Sequence, residues 1–293
     1  MTLLAYQIFQ TVVEQGSFQK AADILNLTPS AISHAISTAE KELGFPLFNR
    51  NKNGVTLTSY GESLQPYILT VLNSDAKLQQ AILQFNGLAQ GSVKIGTFSS
   101  VCNSFIPDLV TSFSKLHPNI GIKIYQGTYD DVYDWIKTGV VDLGFLSESS
   151  SKDLEIIPLY EDELLCITPK SFHSKHKNYI EPEEMRNQYF VSQRESTDAD
   201  IQNLFHKHQL QIRSSCHVVD DLSTIAMVAA GLGICIMPRL VMRNIPYDVN
   251  VYSFKPAEYR TIGICSQNKE LMAPAVKSMF KHIISYFEHI KES

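Results

Sequence analysis

The side chains most able to do chemistry in the first sixty residues are a set of hydroxyls followed by two cations. Ser30, Ser33, His34, Ser37 and Thr38 recur at spacings that fall on one side of a helix, which Thr28 and Pro29 open. Arg50 and Lys52 follow, beside Asn53-Gly54. Hydroxyls can reach base edges, while a helix N-terminus and two cations attract phosphate. That chemistry is recognition of double-stranded DNA without bond making. A small helical bundle built for protein contact has the same pattern, so an adaptor that ignores DNA stays open.

A second polar set lies toward the C-terminus. Thr97, Ser99 and Ser100 follow one apolar run, Gln126 to Thr128 the next, and Ser147 a third. Further on come Ser192, Gln193, Ser196 and Thr197, then Asp221, Ser223 and Thr224. Hydroxyls and backbone N–H groups gathered at strand ends and helix starts suit a small anion such as a carboxylate. Each of them singly is an ordinary helix cap, and only their recurrence raises the ligand reading.

Other chemistries find little support. Gly231-Leu232-Gly233 lacks the third spaced glycine of a dinucleotide loop. His173 with His176, or His206, His208, Cys216 and His217, lack a second ligand pair at zinc spacing, so no metal is expected. The five cysteines are scattered and odd in number, as in reduced cytoplasmic thiols; Cys216 with Cys235 is the one pair with a conceivable redox role. No nucleophile elbow, zinc-protease helix or phosphate-binding loop occurs, so neither an enzyme nor a cofactor is expected.

These residues need elements to hold them. Leu4, Ile8, Val12 and Val13 mark a first helix ended by Gly16. Ser17 caps a second, whose Phe18, Ala21, Ala22 and Leu25 share one side. Thr28 and Pro29 open a third, with Ile32, Ala35, Ile36, Ala39 and Leu43 inward. Asn53-Gly54 then predicts a two-residue hairpin, a wing carrying Arg50 and Lys52. Ser59 with Glu62 predicts a capping box for a long helix, which Pro66 would kink. Leu64, Ile68, Val71, Asp75, Leu78, Ile82 and Phe85 form its heptad seam, which needs a second copy or the chain's own C-terminal part as cover.

After Gln90-Gly91-Ser92, strands and helices alternate, which predicts a mostly parallel sheet in an α/β domain. The expected organisation is residues 1–58 as a helix-turn-helix, 59–90 as linker helix and hinge, and 91–293 as a binding domain. Its first lobe is expected over about 91–162 and 268–293, its second over about 163–267. No basic start with an apolar run opens the chain, and no stretch is long enough to span a bilayer, so a cytoplasmic protein without membrane contact is expected. The net charge is −5, and residues 1–60 hold four cations and four anions. DNA binding therefore has to come from local placement of charge, not from a broadly basic surface.

The run GSFQKAADILNLTPSAISHAISTAEKELGFPLFNRNKNGVTLTSYGE resembles the N-terminal signature of LysR-type transcriptional regulators, ungapped over nearly fifty residues. The resemblance implies a winged helix-turn-helix and a two-lobed α/β domain similar to periplasmic binding proteins. It also implies a small-molecule effector, probed between the lobes by Thr97, Ser99, Ser100, Gln126, Thr128, Ser147, Ser192, Gln193, Thr197, Asp221 and Thr224. Thr28, Pro29, Ser30, Ser33, His34 and Ser37 would face the major groove of a pseudo-palindromic operator, with Arg50 and Lys52 on the wing. Dimers, tetramers and contact with RNA polymerase belong to the same implication. One departure stands out: members often carry Arg or Lys on the outer face of the recognition helix, where this chain has His34 among serines. Modest, salt-sensitive affinity follows.

Overall fold

The computed structural model describes residues 1–51, 54–85, 91–192, 199–211, 213–218, 220–243 and 245–292. They form two units, one built on the first 88 residues and one on most of the remainder.

In the first unit, α1 (Leu3–Gln15), α2 (Phe18–Leu25) and α3 (Pro29–Leu43) are each bounded by local chemistry. The side chains of Thr2, Ser17 and Thr28 accept the N–H groups of Ala5, Lys20 and Ala31. Gly16, at φ 59°, turns the chain out of α1 in the left-handed region that glycine enters without strain. Ile8, Phe9 and Val12 pack against Ala21, Ala22, Ile32, Ile36 and Ala39. The α1 stripe is therefore centred one position from the expected one: Phe9 is fully buried, whereas Leu4 in the first turn is 52% exposed.

The wing strands β1 (Phe48–Asn51) and β2 (Gly54–Leu57) pair antiparallel from Phe48↔Leu57 to Asn51↔Gly54. The expected Asn53-Gly54 turn falls partly outside the described residues, as does Lys52. Helix α4 (Ser59–Phe85) runs on through Pro66. Its cap is Thr58, not Ser59: the Thr58 hydroxyl donates to Pro46 O at 2.8 Å and accepts Gly61 N–H at 3.1 Å. The start of the expected seam is used internally, since Ile68 is buried in the first unit's core and Leu64 packs against it. Val71, Leu78 and Ile82 remain exposed at 42%, 57% and 43%.

The second unit begins with β3 (Gly91–Thr97), α5 (Ser99–Ser104), α6 (Ile106–Leu116), β4 (Ile120–Gln126), α7 (Tyr129–Thr138) and β5 (Leu143–Ser147). Helices α5 and α6 meet at Phe105, where Pro107 at the start of α6 lacks the N–H that would continue α5. Strands β4, β3 and β5 are parallel as expected. Gly144 on β5 lets α7 lie close: a Cβ there would come within 2.3 Å of Ile136.

The sheet as a whole is mixed, not mostly parallel. Its order is β10-β6-β11-β5-β3-β4, with β6 (Ile157–Thr168), β10 (Cys235–Pro238) and β11 (Asn250–Cys265). Strands β6 and β11 pair antiparallel from Ile157↔Ile264 to Thr168↔Asn250. They are 12 and 16 residues long, because each serves one lobe and then the other. The second lobe adds β7 (Tyr179–Ile180), the parallel pair β8 (Tyr189–Ser192) and β9 (Arg213–His217), and helices α8 (Ala199–Lys207) and α9 (Asp221–Ala229). Helix α10 (Pro274–Glu292) returns to the first lobe, where Phe287 meets Phe105 and Phe145.

On β11, Glu258 accepts Lys207 Nζ and His208 Nε2, both at 2.7 Å. Burial works to raise this carboxyl, but the bonds from Lys207 and His208 prevail and hold it below the usual glutamate range. A depressed folded value stabilises above the unfolded one and is lost as pH falls through it. Glu258→Gln is expected to cost about 1 kcal/mol at neutral pH, and the gap to the parent should begin to close as pH drops below about 4.3 and vanish below the depressed folded value. Urea unfolding at both pH values checks this.

Candidate nucleic-acid interface and effector cavity

The outer side of α3 presents Thr28, Pro29, Ser30 and His34 to solvent, with Ser33 and Ser37 half-buried between them. Thr28 Oγ1 is occupied twice, capping Ala31 N–H at 3.2 Å and lying 3.0 Å from Ser30 Oγ. Thr28→Ala should therefore lower stability by about 1 kcal/mol, read from thermal or urea unfolding.

Arg50 does not extend along the wing as its position in the hairpin suggested. Its guanidinium folds back onto α3, donating to Ser33 Oγ at 3.2 Å and Ser37 Oγ at 3.3 Å. It lies 3.7 Å from Glu40 Oε2 and 4.8 Å from the centre of the Phe18 ring. Glu40 in turn accepts the N–H groups of Leu47 and Phe48 at 2.8 and 3.2 Å, fixing the entry to β1. The recognition-helix face, whose own cation Lys41 stands in the last turn, thus receives a second from the wing beside Ser33 and Ser37. With five N–H groups and an exposed position, Arg50 keeps donors for a phosphate or base edge. Glu40 carried no signal in the sequence, since its partners belong to the hairpin and not to its own helix.

In the second unit a cavity of about 280 Å³ opens between the two lobes. The ends of β3 and β4 supply Phe98, Ser99, Ser100, Gln126 and Thr128; α7 supplies Tyr129 and Asp131. The opposite wall is Asp200 and Ile201 of α8, Asp220 and Asp221 at the start of α9, then Pro238 and Val241. Arg260 of β11 closes the floor.

The floor is a tightly bonded polar set. Arg260 donates to Asp162 Oδ2 from Nη2 at 2.6 Å and Nε at 3.0 Å, to Ser100 Oγ at 2.8 Å and to Tyr129 Oη at 2.8 Å. Asp162, also buried, accepts Leu240 N–H at 3.0 Å. Burial works against the guanidinium's charge, and Tyr129, Asp162 and Asp200 more than restore it. Tyr129 donates to Asp200 Oδ2 at 3.1 Å, and Ser147 and Ser149 donate to Asp200 Oδ1 at 2.6 and 2.7 Å. Asp220 is drawn below the usual carboxylate range by hydrogen bonds from Ser223.

Of the residues expected at the effector, Ser99, Ser100, Gln126, Thr128 and Asp221 line this cavity. Thr97, Ser147 and Thr224 are buried behind its walls, their hydroxyls bonded to Phe98 O, Asp200 and Asp220 O. Ser192 bonds Ser214 at 3.1 Å beside a smaller recess. Gln193, Ser196 and Thr197 lie outside the described residues. The sequence reading missed Tyr129, Asp131, Asp200, Asp220 and Arg260. Asp220 directly precedes a residue that was singled out; Arg260 gave no local signal, its partner lying 98 residues away. Among the described residues no cluster of His, Cys, Asp and Glu could hold a metal, and no helix is long and apolar enough to cross a membrane.

Two family models match the chain. Residues 3–62 fit the bacterial regulatory helix-turn-helix protein, lysR family, and residues 86–288 fit the LysR substrate binding domain. The uncharacterized HTH-type transcriptional regulator YvbU of Bacillus subtilis is 27% identical over 295 residues, covering 100% of this chain and 98% of its own. Full-length OxyR from Pseudomonas aeruginosa has the same fold, with a TM-score of 0.74 and 20% identity over 97% of this chain and 98% of its own. Full-length CbnR complexed with its target DNA gives a TM-score of 0.66 and 18% identity, over 97% and 99% of the two chains.

Proposed function

The chain belongs to the LysR family of helix-turn-helix transcription regulators, and from that premise we propose how it reads DNA and senses its effector. Helix α3 enters the major groove, where Thr28, Pro29, Ser30, Ser33, His34 and Ser37 meet base edges and the flanking backbone. Arg50 supplies positive charge to the N-terminal part of that face, and Lys52 adds a backbone contact from the wing. The observation that carries this reading is the Arg50 guanidinium held across Ser33 and Ser37, on a face whose own cation, Lys41, stands in the last turn of the helix. That CbnR, of the same fold, was captured on its target DNA supports it.

Two reading heads are brought together by the exposed apolar stretch of α4 around Val71, Leu78 and Ile82, giving a dimer that fits a pseudo-palindrome. Pairs of dimers, contact with RNA polymerase and action in the cytoplasm complete the proposal. A small molecule in the cavity between the lobes contacts Ser99, Ser100, Gln126, Thr128 and Asp221, with Thr97, Ser147 and Thr224 supporting the walls; Ser192, Gln193 and Thr197 are proposed as further contacts. Its binding shifts the balance between two arrangements of the lobes and so the hold on DNA. The family is one of regulators, not enzymes, and this cavity is a sensing site. The anionic effector expected from the hydroxyl-rich strand ends meets a lining in which carboxylates outnumber the one arginine among the described residues.

Hydroxyl-radical footprinting of DNA from upstream of the chain's own gene tests the reading head. Two protected half-sites about 10 base pairs apart, or a multiple of that, are the expected result. Featureless protection along the whole duplex would contradict it.

A further inference from the structure

The charge of the cavity lining selects the charge of what it takes. Among the described lining residues Asp131, Asp200, Asp220 and Asp221 are carboxylates, and Arg260 is the cation. Arg260 is already matched by Asp162, against which two of its nitrogens are bonded. Asp131 accepts the N–H and hydroxyl of Thr128, both at 2.8 Å, and Asp220 accepts Ser223 N–H at 2.9 Å. Among the described residues Asp200 accepts the hydroxyls of Ser147, Ser149 and Tyr129. Among the described residues no ion pair reaches Asp131, Asp200 or Asp220. The three hydroxyls hold the Asp200 carboxylate in place at the base of the cavity, and Arg260, whose charge it helps to hold, is bonded directly to Asp162 and not to it. An anionic ligand would add its charge to this set, whereas a cation would complete it. Phe98, Leu164, Ile201, Pro238 and Val241 offer the apolar surface for the rest of a compact molecule.

We propose that the effector is a protonated amine with a compact apolar body, its ammonium received by Asp200 and Asp221 and its body lying on Phe98, Ile201 and Val241. This rests on the reading of the cavity as the effector site, and deepens it by naming the ligand class. An amine is also what the polar groups beside these carboxylates fit: an ammonium has three donors and no acceptor, and the cavity wall presents carboxylate and hydroxyl oxygens to it.

The test uses the full chain and three probes of one shape: cyclohexylmethylamine, cyclohexylmethanol and cyclohexanecarboxylate, titrated near neutral pH by ligand-observed NMR. The amine is expected to bind at least about 10-fold more tightly than the carboxylate, equivalent to about 1.4 kcal/mol. Asp200→Asn should erase most of that preference, with Asp221→Asn as the second variant if the first melts early. Val241→Trp, which fills the cavity, should abolish binding of all three. A carboxylate that binds as tightly as the amine and is displaced by Val241→Trp would overturn the ligand class and leave the cavity standing. An amine preference that survives both aspartate substitutions would overturn the assignment of the ammonium to these residues. No binding by any probe at millimolar concentration, or binding indifferent to Val241→Trp, would instead overturn the cavity as the effector site.

Discussion

Arg50→Ala is expected to weaken operator binding by about 10- to 100-fold and to lower the salt slope by about 1, as loss of a base-edge or phosphate contact does. The loss should be large because Arg50 is the cation held beside Ser33 and Ser37, where the N-terminal part of the helix offers hydroxyls and His34 and its own Lys41 comes only in the last turn. The fold should survive the change. Glu40 still holds Leu47 N–H and Phe48 N–H, so the wing keeps its entry geometry. Arg50 itself is exposed, and exposed pairs contribute at most about 1 kcal/mol. Arg50→Lys should recover part of the affinity, since an ammonium keeps the charge but cannot span Ser33 and Ser37 with a planar fork. Anisotropy titrations of the three proteins on one duplex, beside their unfolding curves, separate lost recognition from lost structure.

Arg260→Met should cost about 3–5 kcal/mol and lower the melting temperature by roughly 10 °C, because it strands the buried Asp162 carboxylate without its cation. Asp162 is 1% exposed and Arg260 6%, so neither charge can turn to water when the other is gone. The same guanidinium ties Ser100 and Tyr129 of the first lobe to β11, and Tyr129 reaches Asp200 of the second. Loss of effector binding is therefore expected along with the loss of stability. Replacing the pair together, Arg260→Met with Asp162→Leu, should restore much of the melting temperature, since an apolar pair leaves no buried charge. Restored melting without restored ligand binding would separate the two roles of Arg260. Differential scanning calorimetry gives the first quantity and probe titration the second.

How much of this could be read beforehand depended on the range of the interaction. The helix-turn-helix was legible because its punctuation is local: Ser17 and Thr28 cap helices three residues ahead of the N–H groups they bind, and Gly16 ends one. Where two adjacent residues could both cap, the choice was made by tertiary structure, as Thr58 gained Pro46 O and Ser59 did not. The polar face of α3 was legible from spacing alone. The hold on Arg50 was not, because Ser33 and Ser37 lie 17 and 13 residues from it and meet it only once the hairpin folds back. In the second unit the alternation of strands and helices was clear, yet the antiparallel course of β6 and β11 was hidden. Those strands pair with each other across some ninety residues, and nothing in either run states its partner's direction. The same separation hid the acidic lining. Strand-end hydroxyls and Asp221 drew attention as local features, whereas Asp200 and Asp220 face the first lobe's hydroxyls from the other lobe.

The most direct test of the central claim is fluorescence anisotropy of the purified chain on DNA from upstream of its own gene, against a scrambled duplex. Both are titrated between about 50 and 200 mM salt, the range over which phosphate contacts lose their hold. The expected result is a clear preference for the natural duplex at every salt, an affinity that falls steeply as salt rises, and loss of that preference in Arg50→Ala. Equal affinity for both duplexes throughout, unchanged by Arg50→Ala, would contradict the reading of α3 and Arg50 as the sequence-recognising surface.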